Sequence, residues 1–230
     1  MKLLAESILN LLYPELCLVC GNSLVSGENV ICLHCENTLP RTRFHEDKNN
    51  IVSQLFWGRA EIHTATSFLF FRRKGIVQQL MHQFKYKGEK EVGSYLAKLF
   101  GQELSQVSHY SGIDCILPIP LHPNKEKKRG YNQAAIIARG LADEMRVPAR
   151  KDLLLRADET STQTKKSRYD RWENVSSAFK INPEKSFPFQ HVLLVDDVIT
   201  TGATIEACAQ RILQDTDAKV SVATLALAYT

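Results

Sequence analysis

Nowhere in the 230 residues is there a run of the 18 or so uninterrupted apolar residues that a bilayer-spanning helix needs. The G-x-x-x-x-G-K-[ST] loop of nucleoside-triphosphate sites is missing as well. No internal repeat and no low-complexity tract interrupts the chain. Its formal net charge of +4 is compatible with anionic partners, yet far below what announces a dedicated nucleic-acid protein. The opening MKLLAESILNLLYPELC carries Glu6 and Asn10 and has no small-residue cleavage site, so a signal peptide is not expected. Leu4, Ile8, Leu11 and Leu12 instead fall at helical spacing, as in a short amphipathic helix packed on the protein's own body. The expected address is the cytoplasm.

Apolar residues make up 44% and charged residues 23%, the balance of an ordinary globular protein of one or two domains. Four of the six cysteines form a regular pattern, Cys17-Leu-Val-Cys20 and Cys32-Leu-His-Cys35. Two C-x-x-C knuckles at this separation can bring four thiolates into the tetrahedron Zn²⁺ prefers. Gly21 follows the first pair, and SLVSGENVIC reads as a small hairpin turning at Gly27-Glu28-Asn29. Two disulfides or a redox pair are the alternatives, and disulfides conflict with a cytoplasmic address. A closed four-thiolate shell is structural and leaves no open position for catalysis. Cys115 and Cys208 lie inside apolar stretches and read as buried small hydrophobes.

Residues 1–45 are therefore expected to form the amphipathic helix and zinc ribbon, and residues 46–230 a second domain. PRTRFH and HEDKNN between them read as solvated linker. From there on, strand-like segments (EIHTATSFLFF, IDCILPIPLH, HVLLVDD, KVSVATLALAY) alternate with helical ones (IVQQLMHQFKYKG, KEVGSYLAKLFGQEL, NQAAIIARGLADEM, ATIEACAQRILQD). Asn132 is a plausible cap for the third of these helices. KDLLLR and SAFKIN add two short strands. The alternation predicts an α/β domain with a largely parallel sheet, whose ligands collect at the carboxyl ends of the strands.

Two such ends stand out, Pro118 to Pro123 and Asp196 to Thr204. In HVLLVDDVITTGAT (191–204), four apolar residues run into two adjacent carboxylates and then a hydroxyl-rich turn. Thr200, Thr201, Gly202, Ala203 and Thr204 can aim successive backbone N–H groups at one phosphate, at the positive end of the following helix. Asp196 and Asp197 would then accept hydrogen bonds from the vicinal hydroxyls of a ribose. A shared Mg²⁺ would relieve their repulsion. Ligation of a metal by the pair without any sugar is the generic alternative.

This stretch resembles the 5-phosphoribosyl-1-pyrophosphate (PRPP) binding motif of type I phosphoribosyltransferases. The resemblance implies that Asp196 and Asp197 hold the ribose hydroxyls and Thr200 to Thr204 the 5′-phosphate. It also implies that Pro120 and Leu121, in LPIPLHP, belong to the loop taking the pyrophosphate with Mg²⁺. Positive charge beside a departing pyrophosphate favours an oxocarbenium-like transition state. Lys125, Lys127, Lys128 and Arg129 supply it after that loop; Arg156, Lys165, Lys166, Arg168 and Arg171 supply it in a polar stretch that reads as a lid. Arg129 and Arg168 are the cations expected to act with the acidic pair.

With the four-cysteine module, the chain is similar to the ComF family of competence proteins, GntX-like members included. The matching segments are Pro118-Ile119-Pro120-Leu121, Arg129-Gly130-Tyr131-Asn132-Gln133-Ala134, and the residues Thr162, Gln163, Thr164, Arg171, Asn174, Ala178 and Phe179. Arg156 stands six residues before Thr162, a departure from that family's spacing. The resemblance implies a type I phosphoribosyltransferase-like sheet flanked by helices with an N-terminal zinc ribbon, and a link to DNA uptake in natural transformation. Purine-salvage enzymes carry an acid where this chain has Thr200, and amidotransferases need an N-terminal cysteine where it begins with Met1. Two functions follow as expectations: phosphoribosyl transfer from PRPP with Mg²⁺ to an acceptor no motif names, or non-catalytic binding of single-stranded DNA or nucleotides in the same pocket. No motif names the oligomeric state.

Overall fold

A computed structural model describes residues 14–156 and 178–228. The expected N-terminal helix, and the lid with Lys165, Lys166, Arg168 and Arg171, lie outside the described residues. Around the cysteines the expected hairpin reduces to isolated bridges, Leu16 with Ser23 and Asn29 with Ile31. Backbone that turns left-handed at Gly21, Gly27 and Val30 cannot run a continuous ladder. The Glu28 carboxylate ties the module together by accepting from the N–H groups of Val25 (2.9 Å) and Leu33 (2.8 Å) at the start of helix α1 (Leu33–Asn37).

The stretch read as linker is ordered structure, because distant partners hold it. Thr42 N–H donates to Phe68 O and Phe70 N–H to Pro40 O, both at 2.9 Å. Residues 40–42 thus cover the edge of strand β1 (Thr64–Phe71), which is how an exposed sheet edge is shielded. Arg41 pairs with Glu103 at 2.6 Å. Asn50 is buried; its amide donates to Ala65 O at 2.7 Å while its oxygen caps helix α2 (Ile51–Gln54).

Helix α3 (Ile76–His82) widens into a π-helical turn, Gln83–Lys87, that Gly88 ends in the left-handed region. Helix α4 (Lys90–Ser105) follows, then strand β2 (Cys115–Pro118) and helix α5 (Pro123–Arg129). No periodic pattern marks α5, but Pro123 fits its first turn and His122 accepts from Asn124 N–H as its cap. Helix α6 (Gln133–Met145) begins at Asn132, whose side chain accepts from Ala134 N–H as expected. Strands β3 (Leu154–Arg156) and β4 (Phe179–Ile181) pair antiparallel with each other, apart from the main sheet. Strand β5 (His191–Ile199), helix α7 (Ala203–Asp215) and strand β6 (Lys219–Ala228) complete the domain.

The main sheet has the order β1-β6-β5-β2, and every pairing is parallel. All four carboxyl ends therefore emerge at one edge. One sheet face packs Phe68, Phe84, Leu96, Phe100 and Leu141 into a core that also contains Cys17, Ile31, Cys32, Cys35 and Leu39. The opposite face packs Phe56, Leu117, Phe179, Ile205 and Ile212. The cysteine module and the sheet thus share buried surface. Helices α4 and α6 approach closely because Gly140 has no side chain; a Cβ there would stand 2.7 Å from Ala97 Cβ.

Candidate functional site

Strand β5 delivers the chain to the phosphate-type turn. Thr200, Thr201, Ala203 and Thr204 are exposed, and Gly202 is buried beneath them. Gly202 sits at φ +76° as the N-cap of α7, and a Cβ on it would meet the Phe56 ring at 3.1 Å. The first N–H groups of α7 have no partner within the helix and point into the turn. They and the helix dipole suit an anion. Arg59 braces the turn from outside: it donates to Thr201 O (3.0 Å) and Leu55 O (2.8 Å) and pairs with the Glu206 carboxylate. Sequence reasoning missed Arg59, since FWGRAE bears no pattern and its partners are remote. Replacing Gly202 with alanine forces a left-handed alanine against Phe56. It should cost about 1–2 kcal/mol of stability, read as a lowered melting temperature.

The two aspartates are not equivalent. Successive residues of a strand present opposite faces, and their partners differ accordingly. Asp197 is buried, and its Oδ2 meets Lys85 Nζ at 2.8 Å. Asp196 is half-buried as a residue while its carboxyl group is enclosed; Oδ1 accepts from Asp197 N–H at 2.8 Å. Burial foremost, and then the charge of Asp197, push the Asp196 carboxyl up to about 7, against smaller opposing effects of Lys85 and Arg129. One carboxylate is thus compensated by a lysine and the other holds its proton near neutrality.

Lys85 carries no signal in the sequence beyond its place in the helical segment IVQQLMHQFKYKG. It lies in the π turn, a distortion common at functional sites. That turn is tied to the Arg129–Gln133 segment. Tyr131 donates its hydroxyl to Phe84 O, and Arg129 Cζ lies 5.7 Å from the centre of the exposed Tyr86 ring. Arg129 also donates to Gln133 Oε1 at 2.8 Å. Asn132 Nδ2 donates to Ile119 O at 3.0 Å, linking this segment to the loop after β2. Pro120 and Leu121 in that loop are half-buried, whereas Lys125, Lys127 and Lys128 on α5 are exposed. The acidic pair, its lysine and Arg129 therefore come together, with the threonine turn and the Pro120–Leu121 loop following neighbouring strand ends. Arg168 lies outside the described residues.

A cavity of about 1210 Å³ is lined in part by the Pro118–Pro123 loop. Pro120, Leu121, Tyr131, Arg139, Asp152 and Arg156 are among its lining; neither aspartate nor the threonine turn is. The cavity thus shares Pro120 and Leu121 with the loop after β2 but does not reach the acidic pair.

At the N-terminal module the sulfurs of Cys17, Cys20, Cys32 and Cys35 lie within 4.8 Å of one another. The Cys20–Cys32 separation is 3.7 Å, close to the roughly 3.8 Å edge of a tetrahedron with bonds of about 2.3 Å. Burial opposes ionisation of Cys17, but the N–H groups of Cys20, Cys32 and Val19 bring its thiol down to about 6. Such thiolate character beside three further sulfurs fits a metal ion, which the four residues could hold. Cys115 and Cys208 are buried in the sheet core as expected, and burial pushes the Cys115 thiol up to about 12.

A parallel sheet with an acidic pair and a threonine turn at its carboxyl edge has a counterpart among known families. Residues 127–229 match the family described as "Phosphoribosyl transferase domain", so the chain carries a domain of that class. The chain is also a homologue of ComF-type proteins. It is 32% identical over 130 residues to competence protein F of Haemophilus influenzae, a match covering 55% of this chain and 57% of that protein. It is 32% identical over 148 residues to the DNA utilization protein YhgH of Salmonella typhi, covering 62% of this chain and 63% of that one. Competence protein ComFC of Bacillus subtilis matches at 25% identity over 203 residues, 87% of this chain and 72% of its own length. The alignments to the first two relatives thus span about three fifths of their length. Among the described residues no helix is long and apolar enough to cross a membrane.

Proposed function

We propose that the site binds PRPP and serves a phosphoribosyl transfer. The 5′-phosphate would rest on the N–H groups of Thr200 to Thr204. The ribose hydroxyls would donate to Asp196 and Asp197, and the pyrophosphate would lie by Pro120 and Leu121 with Arg129 near. Mg²⁺, when bound with the ligand, would neutralise the pyrophosphate as it leaves. Arg168 is proposed as a further cation acting there. The carrying observation is the conjunction of a lysine-compensated acidic pair with an open, glycine-capped turn on one strand. At the other end, residues 1–45 would form a cap tied by structural Zn²⁺, consistent with four unpaired thiols in a reducing cytoplasm. Protein incubated with PRPP, Mg²⁺ and a panel of bases should release pyrophosphate. Silence across the panel, with PRPP bound, would leave binding without transfer.

A second reading, binding of single-stranded DNA, draws on one observation. Exposed Arg72, Arg73 and Lys74 follow β1, and exposed Lys125, Lys127 and Lys128 follow β2, so both basic runs leave the sheet at the edge that carries Asp196. Partnership with a DNA-uptake machinery would accord with the competence names of the relatives. Such binding should weaken steeply as salt rises, in proportion to the phosphates contacted.

A further inference from the structure

Lys85 is the only lysine or arginine found in direct contact with either aspartate among the described residues, and nothing in the sequence motifs assigns it a role. Its turn is held on both sides. Phe84 before it is fully buried, with the Tyr131 hydroxyl on its carbonyl, and Tyr86 after it lies against the Arg129 guanidinium. The backbone is thereby anchored while the lysine stem keeps its rotatable bonds, a compact charge able to change partners. Buried Asp197 needs a donor, because an uncompensated carboxylate in this setting is costly. In the free protein that donor is the Lys85 ammonium. A ribose brings hydroxyls that can donate to the same carboxylate, and the ammonium then needs another anion.

We propose that Lys85 alternates between two partners, Asp197 in the free protein and the diphosphate group of a bound phosphoribosyl diphosphate. It is a positioning residue for the carboxylate in the first state and a ligand-binding cation in the second. The inference rests on the PRPP reading given above and deepens it: Lys85 distinguishes ligands that carry a diphosphate from those that carry only ribose 5-phosphate.

Calorimetric titration of the full chain with PRPP and with ribose 5-phosphate, each with Mg²⁺, tests this. Lys85→Met should weaken PRPP binding about tenfold to a hundredfold, as for loss of a charged hydrogen bond, and leave ribose 5-phosphate within about threefold. Lys85→Arg should restore PRPP binding to within about threefold of wild type. Equal losses for both ligands, or no loss for either, would overturn the inference while the PRPP reading stood. Wild-type protein that binds neither ligand would overturn that reading and the inference together. Should Lys85→Met not fold, Lys85→Gln takes its place under the same criteria.

Discussion

Removing the proposed structural metal from the four-cysteine cluster, or replacing Cys35 with alanine, is expected to lower the melting temperature by more than about 10 °C. The size follows from two features. Structural metal binding is itself folding free energy, because the unfolded chain holds no preformed site. In addition, Cys17, Ile31, Cys32, Cys35 and Leu39 pack into the same core as Phe68, Leu96 and Phe100, so a loosened knuckle uncovers one face of the sheet. Burial and the neighbouring sulfurs push the Cys35 thiol well above its ordinary value when no cation is present. A bound metal ion reverses that preference, so acid should displace the ion. Metal content measured beside the thermal melt checks the claim, with one Zn²⁺ per chain expected in wild type and none in Cys35→Ala. Cys208→Ala should keep its metal, because Cys208 lies in the opposite core. Equal melting of wild type and Cys35→Ala would refute a structural role for the cluster.

The Asp196→Asn/Asp197→Asn double variant should fold and lose its response to PRPP. Wild type held at about a hundred times the dissociation constant gains about 2.7 kcal/mol from the ligand. Losing the Asp197 carboxylate together with the Asp196 carboxyl should weaken affinity at least about a hundredfold and erase that gain. The single variant Asp196→Asn is expected to move stability in the opposite direction. Its carboxyl binds protons more tightly in the folded chain, at about 7 against an ordinary 3.8. The penalty on folding is absent below the unfolded value, grows as pH rises between the two, and is complete above the folded one. A difference of about three pH units would be about 4 kcal/mol, and the partial solvent contact of Asp196 reduces the expected effect to about 1–2 kcal/mol. Asparagine should therefore stabilise the free protein at pH 8 and leave it unchanged at pH 4. Melting curves at the two pH values, with and without PRPP, separate the effect on folding from that on binding.

Much of this architecture was legible because its signals are local. The β1 segment TATSFLFF, the Asn132 cap and the passage from HVLLVDD into a glycine-capped helix each lie within one short stretch. What escaped the sequence depends on contacts between distant segments. Asn50 looks like any linker asparagine until Ala65 O comes within 2.7 Å of its amide. Lys85 looks like the polar end of a helix until Asp197 meets it. Arg59 gains a role only because Thr201 and Glu206 fold back onto it. The cysteine pattern was readable for the opposite reason, since all four ligands lie within nineteen residues and their spacing alone limits the geometry.

The central claim, a pentose phosphate diphosphate seated at residues 196–204, is tested most directly by calorimetric titration of PRPP with Mg²⁺ into the intact chain. One saturable site per chain, lost in Asp196→Asn/Asp197→Asn, is the predicted result. Absence of any binding heat at millimolar PRPP, with a folded and metal-loaded protein in the cell, would contradict it.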